Sequence, residues 1–305
     1  MPELPEVETI ARDLNKKIKG RTIAGVWYDW PQMVHLELGG TRKNLAHHPK
    51  SRPAFKKLLV GRKITDVSRR AKNILIHLSS NYILLVHPKM TGHLLLGKWK
   101  IGRGRPRPIS RGAIQEKVNS YIHFLLGFKD GSMIGFSDAR KFGKILFGTR
   151  EGVLASRDLS ELGPEPLESD FTLPVFKNIV ANSSGRAKQF LLNQKKIAGI
   201  GNIYADESLW ASKIHPLRRV ESLKPKEIKL LYKSIRRILT EAIRLRGTSI
   251  SDYRDASGES GGYMRKIKVY GREGEPCPRC GAKIKRIVIG ARSASFCLKC
   301  QKNRG

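Results

Sequence analysis

The two residues at the start of the chain, Pro2 and Glu3, are suited to covalent chemistry at a sugar carbon. A small residue at position 2 favours removal of the initiator Met1, which would leave Pro2 as a free secondary amine. An α-amine titrates near pH 8, about two units below a lysine, so a useful fraction is an unprotonated nucleophile at neutral pH. Attack on a sugar carbon would give a charged iminium. The alternative is an ordinary helix start, because Pro5 suits a first helical turn and acidic residues favour its positive end.

Four cysteines near the other end of the chain are spaced to bind a metal. Cys277 and Cys280 form one C-x2-C pair, Cys297 and Cys300 form a second, and sixteen residues separate the two pairs. This spacing presents four thiolates tetrahedrally to one Zn²⁺ ion and leaves no position for a catalytic water. The sequence therefore predicts one structural zinc ion. From Pro276 onward there are eight Lys or Arg residues and no acid, which suits this segment to lie on a phosphate backbone.

The elements that must position these residues follow from apolar periodicity. Val7, Ile10 and Leu14 recur at helical spacing before Gly20, which predicts a helix over residues 5–19. Short β-rich runs then predict nine strands and a sandwich or barrel. The nine strands are 23–27, 34–38, 63–67, 74–78, 82–86, 93–98, 121–128, 132–137 and 144–147. Helices follow from about residue 185 to 192 and over 202–213, and Ser222 is predicted to cap a third, with final strands at 266–270, 283–289 and 293–296.

These patterns divide the chain into an α+β multidomain protein. Residues 1–150 form a strand-rich domain with a leading helix, 151–172 a linker, 173–265 a helical domain, and 266–305 a zinc hairpin. Two basic segments interrupt the strands, 41–62 and 98–117, and both are predicted to be loops or insertions. Within the helical domain, residues 251–263 contain three glycines, which predicts a mobile loop.

The charge of the chain points to a polyanionic partner. The 59 Lys and Arg residues outnumber the 26 Asp and Glu residues, a net charge of +33. Nucleic acid is the first candidate, while ribosome binding, an anionic membrane surface and proteome-wide adaptation are the alternatives. Apolar runs are too short to cross a bilayer, and the acidic start argues against a secretory signal. We therefore expect a cytoplasmic protein with no membrane partner.

Six further segments combine with the amino terminus into one pattern. They read RRAK at 69–72, HPKMTG at 87–92, DARKFG at 138–143, RAKQFLLNQ at 186–194, IAGIGNIYADE at 197–207 and IGARSASFC at 289–297. Together with PELPEVET at 2–9, they resemble the formamidopyrimidine-DNA glycosylases, bacterial base-excision enzymes for oxidised purines. The resemblance runs in order through nearly the whole chain. It implies a β-sandwich domain with a leading helix, a helix-two-turn-helix domain and a zinc-finger hairpin.

The resemblance also implies roles for individual residues. It makes Pro2 the nucleophile at C1′ of a flipped nucleotide, Glu3 a proton donor or acceptor at the sugar, and Lys72 an auxiliary catalytic lysine that contacts phosphate. Phosphate ligands are also implied at His87, Asn202 and Arg292. Met90 would fill the base stack, Arg140 and Phe142 would invade the duplex, and Lys188 would handle the oxidised base. The departures from the family pattern are Ala139, Lys141 and Asn193, where Pro, Arg and Asp are usual.

The function implied is a bifunctional DNA glycosylase and apurinic/apyrimidinic lyase, acting as a monomer on damaged double-stranded DNA. Extrusion of a base leaves a hole, and an apolar wedge offsets part of the few kcal/mol that unstacking costs. A loop at 257–263 resembles the one that closes over 8-oxoguanine, which favours oxidised purines such as 8-oxoguanine and formamidopyrimidines. The alternatives are an endonuclease VIII-type glycosylase for oxidised pyrimidines and a non-catalytic zinc-ribbon protein that binds DNA.

Overall fold

The structure of the protein is a computed structural model, which describes residues 1–102, 104–250 and 252–303. Its contacts divide the chain into two compact units. The first unit comprises Met1–Ser160 and Arg246–Gly262, and the second comprises Glu161–Leu245 and the chain from Tyr263 onward. This division differs from the predicted one, because residues 246–262 pack with the first unit. Most of the predicted loop 251–263 therefore packs with the first unit. Its first residue, Ser251, lies outside the described residues.

The described residues contain the following helices and strands. The α-helices are α1 (Leu4–Ile18), α2 (Arg52–Leu59), α3 (Arg150–Ala155), α4 (Arg157–Ser160), α5 (Leu173–Ala181), α6 (Ala187–Leu192), α7 (Asn202–Ala211) and α8 (Pro225–Arg244). The strands are β1 (Ile23–Tyr28), β2 (Val34–Leu38), β3 (Thr41–Asn44), β4 (Ile64–Arg70), β5 (Asn73–Leu78), β6 (Tyr82–His87), β7 (His93–Gly97), β8 (Trp99–Gly102), β9 (Arg105–Pro108), β10 (Ile122–Phe128), β11 (Met133–Ser137), β12 (Lys144–Thr149), β13 (Lys285–Ile289) and β14 (Arg292–Phe296).

Two large sheets build most of the first unit, as the predicted sandwich requires. One has the strand order β1-β10-β11-β7, and the other has the order β3-β2-β12-β6-β5-β4. Among the described strands of these two sheets, only the β12–β2 pairing is parallel. Val7, Ile10 and Leu14 of α1 are fully buried in the same apolar core as the inward-facing strand residues. The helix that carries Pro2 and Glu3 at its start is therefore fixed by its whole apolar face.

The basic segments 41–62 and 98–117, predicted to be loops or insertions, contain regular structure in their described residues. The first contains β3 and α2, and Phe55 and Leu59 of α2 are fully buried in the core. The second contains the β8–β9 hairpin, and Trp99 and Ile114 pack in a small apolar cluster beside it. Lysines and arginines obscure these apolar positions in the sequence, because they dominate the composition of both segments. Of the second segment, Arg103 lies outside the described residues.

Two other predictions about local structure are wrong: the start of the third helix and the strand at 266–270. The helix α8 begins at Pro225 rather than after Ser222, whose hydroxyl accepts from Arg218 Nε at 2.7 Å and donates to the Arg219 carbonyl at 2.8 Å. Residues 266–270 do not form a strand. Their backbone N–H groups at 268, 269 and 270 donate to the buried carboxylate of Glu207 at 2.9–3.0 Å, so a side chain replaces a partner strand.

The predicted linker, 151–172, contains regular structure in its first half. Helices α3 and α4 occupy most of residues 150–160, and both Val153 and Leu159 are buried. The second unit starts directly after α4, at Glu161. In the described part of the chain, every helix is too short or too polar to cross a lipid bilayer.

Replacement of Phe55 by alanine tests whether α2 belongs to the core. Because this side chain is fully buried, Phe55→Ala should lower the free energy of unfolding by about 3–5 kcal/mol. The control is Val60→Ala at the end of the same helix, where the side chain is 44% exposed and the change should stay within about 0.5 kcal/mol. Urea unfolding measures both. Equal effects of the two substitutions would contradict the packing of α2.

Candidate functional site

The start of α1 holds Pro2 and Glu3 in a defined position. Glu3 is the N-cap residue, and its side chain accepts a hydrogen bond from the Glu6 backbone N–H. In return, the Glu3 N–H donates to Glu6 Oε2 at 2.8 Å, which completes a capping box. Both Pro2 and Glu3 are buried. While Met1 is attached, the Pro2 nitrogen belongs to an amide and cannot attack a carbon.

The other oxygen of the Glu6 carboxylate binds a segment far away in the sequence. Glu6 Oε1 accepts from the Thr248 N–H at 2.7 Å, and Tyr253 Oη donates to the Glu6 carbonyl at 3.4 Å. Gly247 has φ +79°, and a Cβ there would lie 2.8 Å from Glu6 Oε1. A side chain at this position would collide with the carboxylate, so the position requires glycine. Glu6 joins the chain start to residues 246–262, a connection that its sequence position did not reveal.

The turn that presents Lys72 is fixed by α1 as well. Glu8 Oε2 accepts from Arg69 Nε at 2.7 Å, and Arg69 Nη1 donates to the Ala71 carbonyl at 3.1 Å. Burial raises the pKa of Glu8, but the charges and hydrogen bonds of Arg69 and Arg12 outweigh it and leave that pKa below its usual value. Lys72 is itself only 7% exposed. The helix that carries Pro2 thus also orients the turn of the proposed auxiliary lysine.

The loop after β6 presents His87 and Met90. The Lys89 N–H donates to His87 Nδ1 at 3.0 Å, so neutral His87 carries its proton on Nε2, where it can be donated to a ligand. Burial, and then the positive charges of Lys89 and Lys72, lower the pKa of His87 to about 3. His87 is therefore a neutral donor at physiological pH. Met90 follows it, half-buried, in the turn.

Asp138 organises the loop that carries Arg140 and Phe142. Its fully buried carboxylate accepts from the Gly143 N–H at 2.6 Å, from the Arg140 N–H at 3.3 Å and from the Thr91 hydroxyl. Phe142 is 54% exposed, and the Arg140 guanidinium lies 4.7 Å from the centroid of its ring. A large exposed aromatic ring next to a cation suits a wedge into a base stack. Because Thr91 belongs to the loop after β6, Asp138 also joins the two loops.

The turns of these three loops share an uncommon backbone conformation. Ala71 has φ +52°, Lys89 has φ +56° and Lys141 has φ +57°, all in the left-handed region that non-glycine residues rarely occupy. Each lies directly beside a predicted site residue: Lys72, Met90 or Phe142. Such conformations persist only where surrounding contacts determine them, and they concentrate at functional sites.

The second unit places Asn202 at the first position of α7. Its Nδ2 lies 3.4 Å from Ser293 Oγ, and its buried Oδ1 has no hydrogen-bond partner in the described structure. The exposed Arg292 is adjacent to Ser293 and begins β14, after a two-residue turn that starts with Gly290 at φ +61°. Asn202 and Arg292, predicted as separate phosphate ligands, therefore lie on neighbouring elements.

A direct ligand of DNA must face solvent, but Lys188 does not. Its side chain is fully buried, and Nζ binds Asp206 Oδ1 at 2.7 Å and the Asn202 carbonyl at 2.9 Å. Asp206 Oδ2 accepts from the Ser295 N–H at 3.0 Å, and burial raises the pKa of Asp206 to about 6. Lys188 thus ties the start of α7 to the β13–β14 hairpin. Sequence reasoning assigned Asp206 no role, although its place four residues after Asn202 on α7 could have marked it.

The four cysteines form the predicted metal site. All four Sγ atoms lie within 4.8 Å of one another, with Cys280–Cys297 at 3.5 Å and Cys277–Cys300 at 4.0 Å. Sulfurs at the corners of a tetrahedron around zinc, with Zn–S bonds of about 2.3 Å, would be about 3.8 Å apart. The observed distances fit this arrangement and exclude disulfides, which need about 2.05 Å. The site is therefore a four-cysteine structural zinc site.

The described part of loop 251–263 is anchored, in contrast to the predicted mobile loop. Tyr253 and Ala256 are buried in the core of the first unit. Asp255 Oδ1 accepts from the N–H groups of Ser257 and Glu259 at 2.8 and 3.0 Å. Arg246 bridges Asp255 to Asp13 of α1, and the two carboxylates raise the pKa of Arg246 further. The base of the loop is thereby held to α1.

Comparison with known proteins gives matches along the whole chain. Residues 1–145 match the family model of the formamidopyrimidine-DNA glycosylase N-terminal domain, 162–254 match the model of its H2TH domain, and 274–303 match a zinc finger found in FPG and IleRS. A formamidopyrimidine-DNA glycosylase of Chloroflexus aurantiacus is 40% identical over 302 residues, which are 99% of this chain and 98% of that protein.

Solved structures agree with this similarity. A complex of the Lactococcus lactis Fpg with DNA containing an abasic site has a TM-score of 0.82 and 35% identity, covering 98% of this chain and 99% of that one. The Fpg protein from Thermus thermophilus has a TM-score of 0.79 and 34% identity, covering 100% of both chains.

Replacement of Asp138 by asparagine should disorder the loop that carries Arg140 and Phe142. The new amide N–H₂ group would face backbone N–H donors, and an unpaired buried polar group costs about 1–3 kcal/mol. We expect Asp138→Asn to bind duplex with an abasic-site analogue about tenfold more weakly or worse, while zinc content stays unchanged. The control is Asp130→Asn, in an exposed turn where the carboxylate pairs with Arg21. Equal affinity of the two variants in a fluorescence-anisotropy titration would contradict the anchoring role.

His87 should make the stability of the protein depend on pH. Its folded-state pKa is depressed to about 3, below the unfolded value near 6.5, so the unfolded chain binds more protons between these values. Stability is therefore lost as pH falls through this window. His87→Gln, which keeps an N–H donor but does not titrate, should lose less stability between pH 7 and pH 4.5. Urea unfolding at both pH values measures this, with the exposed His47→Gln as control; identical pH dependence in wild type and His87→Gln would refute it.

Proposed function

We propose, since this chain belongs to the formamidopyrimidine-DNA glycosylase family, that it excises oxidised purines from duplex DNA and then cleaves the strand at the resulting site. The lesions proposed are 8-oxoguanine and formamidopyrimidines. The observation that carries the proposal is the capping box at the start of α1. It fixes Glu3 beside Pro2 through both the backbone and the side chain of Glu3.

The chemistry begins once Met1 is removed and Pro2 becomes a secondary amine. The nitrogen lone pair forms a bond to C1′ of the flipped nucleotide, the glycosidic bond breaks, and the base leaves with the bonding electrons. Glu3, held beside Pro2, transfers a proton as the ring opens and the iminium forms. Buried Glu3 is positioned for this step without reorganisation, because its own N–H is bound to Glu6.

Strand cleavage follows from the positive charge of the iminium. It acts as an electron sink, so the adjacent C2′–H becomes acidic and its loss expels the phosphate at C3′. A second elimination expels the phosphate at C5′, and water then releases Pro2 from the sugar fragment. Lys72 is proposed as the auxiliary lysine of these steps, since the Glu8–Arg69 pair and the left-handed Ala71 orient its turn.

The remaining residues bind and deform the duplex. His87 donates a neutral hydrogen bond from Nε2 to a phosphate, and Lys72 adds positive charge nearby. In the second unit, Asn202 and Arg292 hold phosphates from the start of α7 and from the hairpin. Phe142 and Arg140 enter the stack where the base has left, and Met90 fills it on the strand of the lesion. Lys188 is proposed to position the Asn202 turn rather than to contact the base.

The zinc ion supplies rigidity rather than chemistry. Four thiolates saturate it, so it offers no position for a water or a substrate atom. Cys277, Cys280, Cys297 and Cys300 would hold β13 and β14 at the angle that directs Arg292. The loop 257–263, which follows the segment anchored by Arg246 and Asp255, is proposed to close over the oxidised base.

Borohydride trapping tests the nucleophile. Reduction of the iminium should link the protein covalently to a duplex with 8-oxoguanine opposite cytosine, and mass spectrometry should place the DNA remnant on the nitrogen of Pro2. Chains that retain Met1 should form no adduct through Pro2. Glu3→Gln should lower the single-turnover excision rate by about 10²–10⁴-fold.

The matched control for Glu3→Gln is Glu8→Gln on the same helix, which should lower the rate less because Glu8 acts through Arg69. Absence of any adduct would overturn the enzymatic proposal in favour of a DNA-binding protein without catalysis. Faster cleavage of duplexes with thymine glycol than of those with 8-oxoguanine would favour the endonuclease VIII-type alternative.

A further inference from the structure

Helix α8 exposes a basic surface that the proposed chemistry does not use. Eight of its twenty residues are exposed, five of these are basic and none is acidic. We call the five the basic stripe: Lys226, Lys229, Lys233, Arg237 and Arg244. Their spacings of three, four, four and seven residues put all five on one face of the helix. The stripe is therefore a continuous line of positive charge.

The charges of the stripe are not balanced by the helix that carries them. The only acids of α8 are Glu227 and Glu241, and both are half-buried. Glu227 is occupied, because it accepts from the Lys224 N–H at 2.8 Å and pairs with Arg218 at 3.4 Å. Among the described residues, no carboxylate forms an ion pair with a member of the stripe. An unbalanced line of this kind favours a polyanion.

The opposite face of α8 excludes an amphipathic membrane helix. Leu231, Ile235, Leu239 and Ala242 are buried, and α8 packs on α7. A helix that binds a lipid surface needs a free apolar face to insert. The stripe can therefore offer only electrostatic contacts, which a phosphodiester backbone satisfies without a particular base sequence.

A cavity continues the stripe at the first turn of α8. It has a volume of about 540 Å³, and its lining includes four exposed lysines: Lys213, Lys226, Lys299 and Lys302. The metal-site residues Cys280 and Cys300 also line it. Four thiolates around a divalent zinc ion form an anionic centre, so part of this positive charge balances the metal site. The lysines nevertheless extend the positive surface beyond α8.

The position of this cavity separates it from the proposed phosphate contact at Asn202. Asn202 begins α7, whereas Lys213 follows the last turn of the same helix. Ten residues of α-helix span about 15 Å. Because a helix start directs its N–H groups at a bound phosphate, the other end of α7 points away from that phosphate. The cavity therefore lies away from a phosphate held by Asn202, and the stripe lies on the exposed face of α8, opposite the buried face that packs on α7.

We propose that the basic stripe and this cavity form a second binding surface for duplex DNA. From Lys226 to Arg244 the stripe is about 27 Å long at 1.5 Å per residue, which matches about eight base pairs at 3.4 Å each. It binds the backbone of another DNA segment while the first segment is still held. This lets the protein pass directly from one segment to the next during the search for damage. The inference goes beyond the proposed excision chemistry and does not depend on it.

Competitor-dependent dissociation tests the second surface. In wild type, the rate of dissociation from a labelled short duplex with an abasic-site analogue should rise with the concentration of unlabelled duplex, because the competitor binds before the label leaves. The variant carries glutamine at Lys226, Lys229, Lys233 and Arg237, all exposed positions. Its dissociation rate should be independent of competitor. The salt dependence of its binding to undamaged long duplex should fall by about 0.9 in log–log slope for each phosphate that the variant no longer neutralises.

The control variant carries glutamine at four exposed lysines of the first unit, Lys16, Lys43, Lys50 and Lys57, and so has the same net charge. It should keep the competitor effect. A competitor effect that persists in the stripe variant would overturn the proposal. The proposal would also be overturned if the stripe variant lost as much affinity for the short duplex as for the long duplex. The stripe would then belong to the surface that holds the lesion. Single-turnover excision on the short duplex should be unchanged, and it reports separately on the proposed function.

Discussion

A buried carboxylate, that of Glu6, joins the two ends of the candidate catalytic arrangement. One of its oxygens binds the Glu3 N–H, and the other binds the Thr248 N–H, 242 residues later in the chain. An ionised carboxylate in the interior is stable only if its oxygens are hydrogen-bonded, and removal of such partners leaves an uncompensated charge. The end of α1 that carries the proposed nucleophile and the segment that begins at Thr248 therefore cannot shift independently. Gly247 completes this constraint, since any larger residue would collide with the carboxylate.

The same principle recurs behind three groups of proposed contact residues. Arg69 holds the turn of Lys72, Asp138 holds the loop of Phe142, and the Lys188–Asp206 pair holds the start of α7 against the zinc hairpin. In every case the side chain that would meet DNA is supported by a buried charged group that does not. Such supports fix geometry, which a wedge or a phosphate clamp needs more than added stability.

The net charge of +33 divides into several roles in the structure. Some cations are internal, such as Arg69 and Lys188, and serve to orient backbone. Others, Lys89 and Lys72, add to the burial that lowers the pKa of His87, so that this histidine can act as a neutral hydrogen-bond donor. The basic stripe on α8 belongs to neither group, because its members are exposed and form no ion pairs with acids in the described part of the chain. The total charge predicted a polyanionic partner. The placement of the cations separates those that orient the backbone, those that act on His87 and those proposed to bind a second DNA segment.

The sequence alone determined the family, the four-cysteine zinc site, the sandwich and the helical unit, because motif spacing and apolar period are local properties. Helix α1 and the nine predicted core strands follow from periodicity within a few residues. Tertiary structure decided what depends on distant partners. The amides of 268–270 bind Glu207 instead of a strand, Phe55 places a basic segment in the core, and residues 246–262 join the first unit. The motif alone suggests Lys188 as a DNA contact. The tertiary structure buries this lysine, because only the folded chain brings Asp206 next to it.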